Sequence, residues 1–209
     1  MAVALQLADR QGAAAEDEIA AFMDGVERLA HHFGGVVELP ARADVVVHAR
    51  ELDGFCASVD VQLAVNVVEA TSGAFPGTKL RGLAEAEGLV LQDDGRFHAD
   101  DEEGEEWYSL GNLGAELFEA ESLRTFNCHG MSFVLDVPRV FDGAVVFDRM
   151  VATARQMAQT LDGVVVDGQR HALADAAIAA IRAKIVEIQR QMAANRIPAG
   201  SPRALRLFS

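Results

Sequence analysis

At 209 residues, half of them hydrophobic and 24% charged, the chain is long enough to bury one sizeable core or two small fused ones. A formal charge of −14 and an isoelectric point near 4.7 argue against a nucleic-acid binder, which needs a basic face to release counterions from phosphates, and against anionic membrane surfaces. Two cysteines, Cys56 and Cys128, match neither a disulfide framework nor a zinc spacing, so a reducing compartment, the cytosol, is expected. No run reaches the ~20 apolar residues of a membrane helix, and the N-terminus lacks the basic region and apolar core of a signal peptide. A membrane anchor, if the gene encodes one, is expected outside this chain.

In chain order, Val3, Leu5 and Leu7 alternate and predict a strand. Ile19, Phe22, Met23, Val26, Leu29, Ala30 and Phe33 then recur on one helical stripe, Gly35 reads as the helix stop, "GGVVEL" (34–39) as a second strand, and 43–56 as another helix. "VDVQLAVNVV" (59–68) alternates cleanly, with Val61, Leu63, Val65 and Val67 on one face and Gln62, Ala64 and Asn66 on the other. "PGTKLRGLAEAEG" (76–88) predicts a short amphipathic helix with Pro76 at its start, and 89–113 predicts two strands joined by an acidic turn. After an irregular stretch comes an alternating run, Met131, Phe133, Leu135 and Val137, that stops at Pro138. A long helix follows, then "DGVVVD" (162–167) and a further helix over 172–195. The whole reads as α+β, a mainly antiparallel sheet with helices on one face.

The chain also matches itself. A shift of 128 residues lays Val3, Leu5 and Leu7 on Met131, Phe133 and Leu135, the first helical stripe on Phe147, Met150, Val151, Ala154, Met157, Ala158 and Leu161, and Gly35 on Gly163. Residues 1–57 are therefore expected to form a strand–helix–strand–helix unit that is a pseudo-repeat of 130–195, either an old duplication or shared strand–helix–strand grammar. Residues 58–195 are expected as the main domain, and 196–209 as a tail. That tail, basic and apolar after Pro198, Gly200 and Pro202, is expected to be either disordered or docked on an open sheet face.

"NVV" (66–68), "YSLGNL" (108–113), "FVLDVP" (133–138) and "LDGVVVDGQRHALA" (161–174) give the run from about 59 to 185 a resemblance to the C-terminal domain of the bacterial cell-division protein ZipA. The resemblance implies a non-enzymatic adaptor in septum assembly. It would bind the C-terminal tail peptide of the tubulin-like FtsZ in a shallow groove on a sheet face that helices leave open. It implies no cofactor, no nucleic-acid partner and no direct membrane contact by this chain. Its setting would be cytoplasmic, tethered to the inner membrane through a region outside the chain. By the same resemblance Ala64, Leu113, Ser132 and Val134 lie at groove positions and keep their character. Gln62, Asp94, Arg96 and Ala115 also align there but depart from the pattern. Asp94 and Arg96 bring charge, and Ala115 stands where the family has a basic residue. Asp94 would meet a basic residue of the peptide or pair with Arg96 on a solvated face. The alternative function is a small-molecule-sensing or catalytic α+β domain, for which a closed pocket lined by His98, Arg96 and Asp94 would be the sign.

Remaining features have plainer readings. "DDEEGEE" (100–106) offers clustered oxygens but no EF-hand spacing and reads as a solvated hairpin loop. Cys128 beside His129 lacks a third partner for nucleophilic catalysis. His31 and His32 suit the negative end of a helix better than a metal. Asn112 is expected to face the core side and tie the irregular 114–129 segment to the sheet.

Overall fold

The computed structural model describes residues 3–71 and 73–209; Met1, Ala2 and Ser72, and so the first two residues of the unit expected at 1–57, lie outside the described residues. The chain divides into two compact units, Met1–Asp60 with Pro202–Ser209, and Val61–Ser201.

The larger unit holds a six-stranded, wholly antiparallel sheet. Its strands are β3 (Gln62–Glu69), β5 (Val90–Leu91), β6 (Phe97–Asp100), β7 (Glu106–Asn112), β9 (Gly130–Asp136) and β10 (Gly163–Val166), in the order β10-β3-β9-β7-β6-β5. A two-stranded ribbon pairs β4 (Phe75–Pro76) with β8 (Asn127–Cys128). The helices are α3 (Gly77–Ala86), α4 (Gly143–Leu161) and α5 (Asp175–Ala194). This is the α+β layer expected. The period-2 residues Val65, Val67, Leu110, Met131, Phe133 and Leu135 are all buried, and they meet the stripe of α4, where Phe147, Met150, Ala154 and Met157 are fully buried. Tyr108 crosses the layer to Thr153, with its hydroxyl 3.1 Å from Oγ1.

Two strand expectations change. The run over 89–98 is a hairpin, because Asp93–Gly95 make a turn in which Gly95 takes φ 75° and the Gln92 N–H donates to the Arg96 carbonyl. In β7 the register slips between Ala99 and Asp100, so that Glu106 pairs with Asp100 while Tyr108 pairs with Ala99. The extra residue, Trp107, lies against Arg149 of α4, 4.4 Å from ring centre to guanidinium carbon.

The smaller unit contains a hairpin of β1 (Ala8–Asp9) and β2 (Gly12–Ala13), then α1 (Glu16–His32), α2 (Arg42–Val59) and, from the other end of the chain, α6 (Pro202–Leu207). Glu18 caps α1 by accepting the Ala15 N–H at 3.0 Å. Ile19, Met23, Val46 and Ala49 form its core. The strands expected at 3–7 and 34–39 do not form. Val3–Leu7 and Val36–Leu39 run without a ladder partner, and α1 is closed by Gly34 (φ 66°), one residue before the expected stop. The equivalent position in the larger unit, Asp162, is also left-handed (φ 56°) and closes α4. The expected tail is folded: Ile197 and Ala199 are buried, and Leu207 and Phe208 are buried in α6 and just after it, so these apolar groups are not free for a sheet face.

Candidate functional site

The sheet face turned away from α4 carries the residues out of phase with the core. Registers fix their rows. Gln62 stands opposite Asp136. Ala64, Val134, Ser109 and His98 follow one another across β3, β9, β7 and β6. Val166, Asn66, Ser132 and Gly111 form the next row. Beyond it, the Leu113 N–H donates to the Gly130 carbonyl at 2.9 Å, and the Leu113 side chain lies so close over Gly130 that a Cβ there would come within 2.8 Å of its Cδ2. Glycine at 130 thus lets an exposed leucine rest flat on the sheet.

Of the residues expected at the groove, Gln62 and Ala64 are exposed, and Ser132 and Val134 are half-buried and adjacent to them. Arg96 reaches the same face from the β5–β6 turn, its aliphatic stem against Gly111. Leu113 and Ala115 line a hollow of about 430 Å³ at the end of the sheet, together with His129 and Arg170. The face is therefore a strip of small and apolar side chains, with a cation on one flank and a hollow at one end.

Asp94 and Arg96 do not pair through their side chains. The Asp94 carboxylate sits 3.0 Å from His98 Nε2, and Glu106 sits 2.6 Å from Nδ1. Burial alone would push the imidazole pKa down, but hydrogen bonds to Asp94 and Glu106 outweigh it and hold the value above that of an ordinary histidine. Both ring nitrogens are engaged and the residue is 7% exposed, so it offers no free lone pair to a reacting group. Asp94 is engaged by His98, whereas Arg96 keeps its guanidinium without an ion-pair partner among the described residues, so the expected alternative of an Asp94–Arg96 ion pair is not formed.

Asn112 donates to the Glu116 carbonyl at 2.9 Å and accepts from the Cys128 thiol at 3.4 Å, which ties the irregular segment to the sheet. Burial pushes the Cys128 thiol up to about 11, so it stays protonated and serves packing.

Two contributors escape sequence reading. His129 and Arg170 come to the hollow from turns, Arg170 with φ 64° in the hairpin after β10. The "DGQR" turn signal marks that hairpin but not its proximity to Leu113. Asn66 is 7% exposed on the open face, and its Oδ1 has no hydrogen-bond partner among the described residues. A buried acceptor left unpaired costs about 1–3 kcal/mol.

Comparison with known proteins gives a consistent answer. The model of the family described as "ZipA, C-terminal FtsZ-binding domain" matches residues 62–184. The chain is 30% identical over 142 residues to the cell division protein ZipA of Pseudomonas syringae pv. syringae, covering 66% of this chain and 50% of that protein. It is 31% identical over 133 residues to ZipA of Pseudomonas entomophila, 62% of this chain and 45% of that one. With ZipA of Pseudomonas aeruginosa it shares 30% over 139 residues, 65% and 48%. The chain spans about half the length of the curated relatives it matches.

Proposed function

Because the chain belongs to the ZipA C-terminal, FtsZ-binding domain family, we propose that Val61–Ser201 is a non-enzymatic cell-division adaptor that binds the C-terminal tail peptide of FtsZ on its open sheet face. Its setting on this reading is the cytoplasmic side of the inner membrane. The observation that carries the reading is the strip itself. Ala64, Ser132 and Val134 are small or apolar, adjacent by register and uncommitted to the core, with Leu113 continuing the strip over Gly130. A bound peptide would cover these anchors, as such grooves require. Arg96, with Arg170 at the hollow, would select an acidic residue of the peptide, while Gln62, Asp94 and Ala115 shape the edges.

The test is calorimetric titration of the chain with the FtsZ tail peptide of the same organism. Leu113→Glu and Val134→Glu each bring a charge into the strip and are expected to weaken binding at least 100-fold without moving the melting temperature by more than a few degrees. Unchanged affinity in both variants would remove the strip from the binding site.

A further inference from the structure

At an offset of 128 residues the sequence of the smaller unit repeats the apolar pattern of the helix and both flanking segments of the larger one, and among the described residues no strand runs between those two segments. In the larger unit β9 and β10 are not neighbours; β3 runs between them, antiparallel to both, over the apolar stripe of α4. The counterparts of β9 and β10 are 3–7 and 35–38, and the counterpart of α4 is α1. Both segments keep the period of strands: Leu5 and Leu7 turn inward while Ala4 and Gln6 are exposed, and Val37 and Leu39 turn inward while Val36 and Glu38 are exposed. Among the described residues, neither Val3–Gln6 nor Val36–Leu39 makes a backbone–backbone hydrogen bond. Leu5, Leu7, Val37 and Leu39 line a hollow of about 530 Å³ together with Ile19 and Met23 of α1 and Val45 and His48 of α2.

We propose that this hollow is a strand-acceptor site, which takes up an extended segment donated by another polypeptide in the place that β3 fills in the larger unit. The chemistry of the donor follows from its surroundings. It carries apolar, preferably β-branched residues at every second position to meet Leu5, Leu7, Val37 and Leu39 above Ile19 and Met23. Its backbone supplies the hydrogen bonds that both segments lack, the mode of recognition known as strand addition. The register in the larger unit also says which groups would be used. The outer side of β10 is taken up at Val165 and Asp167, where the Leu173 N–H donates to the Val165 carbonyl and the Asp167 N–H to the His171 carbonyl. Val164 and Val166 therefore face β3, and their counterparts Val36 and Glu38 face the empty place.

The site and its test are separate from the open face of Val61–Ser201. The probe is a fluorescent peptide with the sequence of residues 61–70, VQLAVNVVEA, carrying two lysines at each end for solubility, added to the intact chain. Saturable binding is expected, together with at least tenfold slower amide exchange at Val36 and Glu38. Val36 is 99% exposed, so Val36→Pro removes only an unpaired donor. It is expected to weaken peptide binding at least tenfold and to leave the titration with the FtsZ tail unchanged. Leu5→Lys is expected to abolish peptide binding. Three results would overturn the proposal: equal binding of a scrambled peptide, protection confined to β3 and β10, or a chain that self-associates through Val36–Leu39 and ignores the peptide. Loss of FtsZ-tail binding on its own would overturn only the reading of the larger unit.

Discussion

α1 and α4 stand at matching positions in a repeated apolar pattern, yet the flanking segments of that pattern form a common ladder only around α4. Around α4 the segments Gly130–Asp136 and Gly163–Val166 are ladder members because β3 bonds to both. Around α1 the segments with the same alternation are extended chain and no more. A helix satisfies its own backbone, so an amphipathic stripe with a cap is enough to form α1. A strand satisfies its backbone only through a neighbour, so alternation alone states which face would be buried and leaves open whether a ladder exists.

The sharpest way to break this comparison uses the glycines that follow each helix. Gly163 is squeezed by the ladder: a Cβ there would lie 2.9 Å from the Val68 carbonyl oxygen and 3.0 Å from Phe75. Its counterpart Gly35 would meet only the Ala30 carbonyl oxygen, at 3.5 Å. Gly163→Ala is expected to destabilise the larger unit by about 1–3 kcal/mol, seen as a lower urea midpoint, because a packed sheet does not yield to an added methyl. Gly35→Ala is expected to change stability by less than about 0.5 kcal/mol. Equal costs at the two sites would mean that the smaller unit already has a neighbour where none is drawn.

A smaller effect separates the units by pH. The His98 imidazolium is held by Asp94 and Glu106, so its folded pKa lies above the unfolded value of about 6.5. The stabilisation it gives to the β5–β6 hairpin is present in full below that unfolded value and is lost as pH rises through the elevated folded one. Urea midpoints of the chain are therefore expected to fall as pH rises above the unfolded value of about 6.5, and His98→Asn is expected to flatten that part of the profile. A slope that survives the substitution would place the titrating group elsewhere.

Much of this could be read from the residues. The alternation at 61–67 and 131–137 and the stripe of α4 depend on periodicity, which the sequence displays, and the tie made by Asn112 forms as expected although its side chain is only half-buried. What escaped it has definite causes. The turn Asp93–Gly95 was hidden inside a run that also scans as a strand, so Asp94 and Arg96 were expected on a strand and stand at a hairpin tip instead. The slip in β7 turns Trp107 toward Arg149, and no residue type announces a bulge. Asp94 pairs with His98 because the tip folds back over β6, a contact set by the turn. The C-terminal segment reads as tail-like from its prolines and glycine, yet Leu207 and Phe208 are buried, which composition alone does not reveal. For the open face, register gathered Ala64, Ser132 and Val134 as alternation implied, while the hollow beside Leu113 needed two distant turns.

On the proposed function, the face opposite α4 receives the FtsZ tail. Amide chemical-shift mapping of the isotope-labelled chain during titration with that peptide tests it most directly. Shifts are expected at 62–66, 109–115 and 132–136, with α4, α5 and the smaller unit still. Shifts centred on the helices, or on Val3–Leu7 and Val36–Leu39, would contradict it.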